Sequence, residues 1–192
     1  MASDGFNLSN QFLIAMPGML DDSFAGTVVY LCEHSERGAL GLVINKPIDI
    51  NLKNLFDKVE LNLEREELAE QPVFYGGPVQ TERGFVLHEP QGGEGQAFSS
   101  TLQVPGGLEM TTSKDVLEAM SHGQGPKKVL VTLGYSGWSA GQLEDEISRN
   151  GWLTVAAQPE VIFDTPVAMR YERALALLGI DPRMLSQEAG HA

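Results

Sequence analysis

Residues 127–147, KKVLVTLGYSGWSAGQLEDEI, constrain the fold of this chain more than any other stretch. Residues 129–133 form a short apolar run with β-branched side chains at alternate positions, the composition of a strand buried on both faces. Gly134, Tyr135, Ser136 and Gly137 punctuate it, and the two glycines can take backbone dihedrals closed to other residues. Ser139 then offers a helix N-cap with Gln142 three residues on, the spacing of a capping box. The stretch predicts a strand, a glycine turn and a helix. That geometry presents free backbone N–H groups to a ligand.

Around it, the rest of the chain reads as short strands joined by turns, with helices scattered between them. Residues 12–15 predict a first strand, and Asp21, Asp22 and Ser23 signal a turn. Residues 26–32 and 39–45 predict a hairpin of core strands across the loop 34–38, with Gly41 marking a bulge or a close backbone approach. The strand is expected to stop at Lys46-Pro47. Asn51 predicts a cap for a helix with Leu52, Leu55, Phe56 and Val59 on one face. The acidic run 64–70 predicts a solvated helix or loop. Residues 73–75 and 85–88 predict strands, and Gly76-Gly77-Pro78 a sharp turn. Residues 89–97 form a polar, glycine-rich loop. Residues 102–104 and 108–111 predict short strands. Thr112 or Ser113 predicts the cap of a helix bearing Val116, Leu117 and Met120, stopped by Gly123 and Pro126. Residues 152–156 and 161–163 predict further strands. Asp164 or Thr165 predicts the start of a last long helix, with Pro166 at its first position and Gly179 at its end. The mixture predicts α+β with a mixed sheet rather than a regular βαβ winding. A single domain is expected over residues 11–186, between a frayed N-terminus (1–10) and a loose tail (187–192).

The formal net charge is −13, from 26 acidic and 13 basic residues. A field of that sign repels phosphate backbones and anionic membrane surfaces and favours neutral or cationic partners. There is no basic stripe and no helix-turn-helix with exposed Arg or Lys, so direct nucleic-acid binding is not expected. Cys32 is the sole cysteine, which suits a reducing compartment. No apolar run approaches the ~20 residues needed to span a bilayer. A cytoplasmic location without membrane association is therefore expected. No cofactor is expected either. Cys32 and His34 would share a strand face and could join His88 as three metal ligands, but a buried thiol beside a loop histidine is the favoured reading.

LCEHSERGALGLVINKP at 31–47, YGGPVQTERGFVLH at 75–88 and LGYSGWSAGQLEDEI at 133–147, with FLIAMP at 12–17, resemble the AlgH/YqgE family of bacterial proteins. The resemblance runs in order from about residue 11 to about residue 182, a span that fits one domain. It implies a single compact α+β domain with a bifurcated or barrel-like mixed sheet surrounded by helices. It also implies a regulatory association, and it carries over no catalytic residues.

The candidate ligand-binding residues are Tyr75, Gly76, Gly77 and Arg83 with Gly134, Tyr135, Ser136 and Gly137. The two glycine turns could form an anion-binding nest with charge from Arg83, although neither carries the lysine of a phosphate loop. Ser136 sits in a pattern like a hydrolase elbow, but Trp138 stands where that pattern needs glycine. Glu144, Asp145 and Glu146 crowd a helix start, where acidic groups favour the helix dipole. Trp138 and Trp152 are expected in the core or a pocket wall. The leading function is a non-catalytic regulatory or binding protein acting on a protein partner or small ligand. The alternative is a hydrolase-like enzyme centred on residues 134–139.

Overall fold

The structure is a computed structural model that describes residues 7–17, 24–90 and 98–181. The expected turn at Asp21, Asp22 and Ser23, most of the loop 89–97 and the tail 187–192 lie outside the described residues. In chain order the elements are β1 (Gln11–Ala15), β2 (Val28–Ser35), β3 (Gly38–Val43), β4 (Pro47–Asn51), α1 (Leu52–Lys58), β5 (Pro72–Tyr75), β6 (Val79–His88), β7 (Thr101–Gln103) and β8 (Glu109–Thr111). There follow α2 (Asp115–Ser121), β9 (Val129–Ser139), α3 (Gln142–Ser148), β10 (Trp152–Ala156), α4 (Pro159–Phe163) and α5 (Arg170–Ala176). Single 3-10 turns occupy Glu66–Leu68 and Val167–Met169.

The ten strands among the described residues form one sheet in the order β10-β1-β2-β3-β9-β6-β8-β7, from which β5 and β4 branch at β9. β5 runs parallel to β9 and every other pairing is antiparallel. The fold is thus α+β on a mixed, bifurcated sheet. β9 carries the fork. Its first part pairs with β6 and with β5, whereas Ser136 to Ser139 pair with Gly41 to Gly38 of β3. Val129, Leu130 and Val131 are all buried, as an apolar run in a central strand requires.

Among the described residues, three apolar clusters fill the two faces. Phe12, Ile14, Tyr30 and Leu42 pack with Val161 and Leu175 of α4 and α5. Leu13, Val29, Trp138 and Trp152 pack with Leu143 of α3. Leu52 and Phe56 of α1 meet Val116 and Met120 of α2 over Val73, Val86 and Val131. Period-two alternation along β1 and β2 sends neighbouring residues into different clusters, so both faces of those strands are covered.

Several local expectations hold. Asn51 caps α1, accepting from Asn54 N–H at 2.8 Å while the Asn54 side chain accepts from Asn51 N–H at 3.0 Å. A Cβ on Gly41 would lie 2.6 Å from Val29 Cγ1, and the β2–β3 register slips opposite it, between Leu31 and Glu33. Others are corrected. Residues 134–137 do not end the strand: β9 continues to Ser139 because Gly134, at φ +82°, absorbs the irregularity while β3 holds the chain beyond it. Gln142 does reach back to Ser139 N–H at 2.9 Å, but α3 starts after Gly141. The chain does not leave the sheet at Lys46-Pro47, because Pro47 opens β4, an outer strand where its missing N–H is harmless. β6 begins at Val79, well before residue 85. Residues 161–163 lie in α4, which Pro159 initiates, and not in a strand. The last long helix is split. Thr165 Oγ1 donates to Glu160 O and closes α4, so the α-helical turns begin only at Arg170.

Candidate functional site

The glycines singled out in the sequence meet at the fork. Gly76 N–H donates to Leu133 O at 2.9 Å, and Gly76 O accepts from Val43 N–H at 3.0 Å and from Ser136 Oγ at 3.1 Å. Gly77 adopts φ +153°, and a Cβ there would lie 2.2 Å from both Tyr135 C and O. A Cβ on Gly76 would lie 2.2 Å from Gly134 O, and one on Gly134 2.5 Å from Gly77 O. Real side chains do not approach so closely. The glycines let two backbones touch where β5 ends between β3 and β9. Their space is filled by main chain, and Ser136 has no solvent exposure. Gly76, Gly77, Gly134 and Ser136 therefore converge as a packed junction, with Tyr75 half-buried beside Leu133.

A cleft opens beside that junction. It has a volume of about 760 Å³ and is lined by Glu33, Ser35, Glu36, Arg37, Gly38, Ala39, Leu40, Val79, Tyr135, Gly137 and Trp138. The register explains its shape. Glu33 faces Leu40, Leu40 faces Gly137, and Val79 faces Tyr135, so neighbouring strands contribute one continuous surface. Gly137 has no side chain and leaves a hollow. Tyr135 walls it, with Cε2 3.3 Å from where a Gly137 Cβ would stand. The Tyr135 ring packs edge-on against Phe85 at 5.5 Å, and the Arg83 guanidinium lies 5.8 Å from the Phe85 ring centre. Arg83 thus stands behind the wall rather than in the cleft. The lip is the turn Glu36-Arg37, tied by Arg37 N–H donating to Ser35 Oγ at 3.1 Å. Of the candidate residues, Tyr135 and Gly137 line this cleft. Glu33, Glu36, Arg37, Leu40 and Val79 were not singled out, because no local signal shows that the β2–β3 hairpin lies along β9.

Behind the cleft, polar contacts fasten α3 to the sheet. His34 is buried, and its Nδ1 accepts from Leu8 N–H at 3.0 Å. Its Nε2–H therefore donates to Glu144 Oε2, 2.9 Å away. Burial alone would raise the Glu144 pKa, but its own backbone N–H and His34 outweigh that and hold the carboxyl below its usual value. Glu146 Oε1 accepts both indole N–H groups, from Trp138 at 3.0 Å and Trp152 at 2.9 Å. Glu144 and Glu146 are thus more than dipole partners: they hold α3 in place.

His88 is fully buried. Its Nδ1–H donates to Glu89 O at 2.9 Å, so Nε2 accepts from Thr111 Oγ1 at 2.8 Å, and burial lowers its pKa. The Cys32 thiol is buried and pushed up, first by burial and then by the charge of Glu33. Among the described residues no group of three His, Cys, Asp or Glu side chains is placed to hold a metal ion. Among them, too, no helix is long and apolar enough to cross a membrane.

Fold and cleft together define a small α+β domain built on a forked mixed sheet, with an open, charged-lipped hollow beside the fork. The chain belongs to the AlgH-like family, whose model matches residues 12–183. A UPF0301 protein of Ralstonia nicotianae is 70% identical over 186 residues, covering 97% of this chain and 96% of that protein. One from Burkholderia mallei is 66% identical over 191 residues, covering 100% and 98%. The solution structure of the AlgH protein from Pseudomonas aeruginosa matches with a TM-score of 0.77 and 48% identity, over 99% of this chain and 98% of that one. A crystal structure of a Corynebacterium diphtheriae protein shares the fold, with a TM-score of 0.67 at 20% identity over 86% and 84%.

Proposed function

We propose that this chain is a non-catalytic binding protein with a regulatory role in the cytoplasm, and that a protein partner or small ligand docks in the cleft walled by Tyr135. The cleft itself carries the reading: about 760 Å³ open at the surface, with Leu40 and Gly137 under a lip bearing Glu36 and Arg37. The buried Ser136, whose hydroxyl is spent on Gly76 O, does not favour a hydrolase at residues 134–139. The net charge of −13 supports a neutral or cationic partner over a nucleic acid. The regulatory part rests on the family likeness, and the cytoplasmic part on the single, buried cysteine.

The test compares wild type with Leu40→Glu and Tyr135→Ser in bacterial-lysate pull-downs and in a ligand screen read by melting shift. Partners or ligands recovered by wild type and lost by both folded variants are the expected result. Recovery unchanged by either substitution would remove the cleft from consideration, and hydrolysis abolished by Ser136→Ala would overturn the non-catalytic reading.

A further inference from the structure

β10 ends the sheet on one side, and its outward side has no strand partner among the described residues. The direction of its polar groups follows from the ladder. Met16 N–H donates to Gly151 O at 3.0 Å, and Ala157 N–H donates to Asn10 O at 3.1 Å, at the two ends of the β1–β10 register. Bonded and non-bonded pairs alternate in an antiparallel ladder. Ile14–Leu153 and Phe12–Val155 are therefore the bonded pairs, and the N–H and C=O groups of Trp152, Thr154 and Ala156 point away from β1. The strand reads WLTVA, with no charge, proline or glycine. Those are the devices that ordinarily blunt an open edge. Leu153, Thr154 and Val155 are half-buried and Ala156 is exposed, so the edge is reachable.

We propose that β10 pairs antiparallel with β10 of a second copy of this chain, about a two-fold axis at Thr154, joining two sheets into one. The outward groups are symmetric about Thr154, so Thr154 exchanges bonds with its own counterpart and Trp152 with Ala156. Within the strand no charges are opposed, although each copy carries −13. So short a ladder belongs with the small, transient protein interfaces, and its dissociation constant is expected at roughly 100 μM.

Sedimentation velocity of the full chain from about 10 μM to about 1 mM tests this, a span that brackets association of that strength. Wild type is expected to move from monomer towards dimer as concentration rises. Thr154→Pro removes an outward N–H without touching a bond to β1, and Thr154→Lys sets two like charges on the axis. Each folded variant is expected to weaken the dimer about tenfold or more. In wild type, the amides of Thr154 and Ala156 should exchange with solvent more slowly at high concentration, while those of Leu153 and Val155 do not change. A wild type that stays monomeric throughout overturns the proposal. So does a dimer that survives both substitutions, or exchange at Thr154 and Ala156 that ignores concentration.

Discussion

Gly77 and Gly141 are both at positive φ, yet their surroundings differ. A Cβ on Gly77 would overlap the Tyr135 carbonyl, whereas nothing lies within 4 Å of one on Gly141. Gly141→Ala is therefore expected to cost only the left-handed backbone penalty, roughly 1–2 kcal/mol. Gly77→Ala has to push β5 away from β9 as well and is expected to cost at least ~4 kcal/mol or prevent folding. Urea denaturation of the two variants checks this, and equal losses would mean that the junction is looser than described.

His88 gives a pH prediction of definite sign. Burial holds its folded pKa below the ordinary 6.5. As pH falls through about 6.5 the unfolded chain takes up a proton that the folded imidazole still refuses. The unfolded state then binds more protons, so stability declines with falling pH and levels off only below the folded pKa. Urea midpoints at pH 7.5 and 5.5 should differ less for His88→Gln than for wild type. An unchanged difference would show that His88 is not the responsible group.

At the scale of elements, α5 is held by a charge rather than by its short apolar stripe. Ala174 and Leu175 are buried, but Leu177 and Leu178 remain 39% and 38% exposed. Arg170 supplies the rest. Its guanidinium is buried, donates to Ile44 O at 2.6 Å and Thr165 O at 2.9 Å, and lies 5.1 Å above the Phe74 ring. Burial pulls its pKa down to about 10, so it stays cationic at neutral pH. Arg170→Ala leaves those carbonyls short of a donor and is expected to cost roughly 2–4 kcal/mol. Arg170→Lys should recover only part of that, because a single ammonium nitrogen replaces the two, Nε and Nη1, that bond the carbonyls, and it has no planar face to stack on the ring. Thermal and urea unfolding of both variants decide it, and a Lys variant as stable as wild type would count against the bidentate role.

For the whole molecule, charge dominates. The described ion pairs outside His34–Glu144 are Lys53–Asp57, Arg65–Glu67, Lys128–Asp164 and Arg149–Asp145, each with at least one exposed member. Pairs of that kind contribute little, about 0–1 kcal/mol each. They do not offset the self-repulsion of a chain at −13. Raising salt from ~10 mM to ~300 mM shortens the screening length and is expected to raise the melting midpoint by a few degrees. A midpoint indifferent to salt would show that the negative charges are spread too widely to matter.

Much of this was legible in the residues. The strands around residues 12–15, 73–75 and 152–156, the Asn51 cap and the Gly41 approach all follow from neighbours in sequence, because alternation, capping and steric permissiveness act over a few residues. The glycines at 76–77 and 134 were legible as special, since few other residues tolerate what they do. What they are special for was not. Whether a glycine bends a turn towards a ligand or lets two strands touch depends on what lies opposite, and β5 lies far from β9 in sequence. The same limit hid the cleft, which needs β2, β3, β6 and β9 side by side. It also hid the two indole contacts of Glu146, where a surface-type residue became the acceptor for two tryptophans. Composition and local pattern fixed the class of fold and the negative field. Only the long-range pairing of strands, set by how all the apolar faces close together, decided which residues stand at a surface and which are spent in holding it.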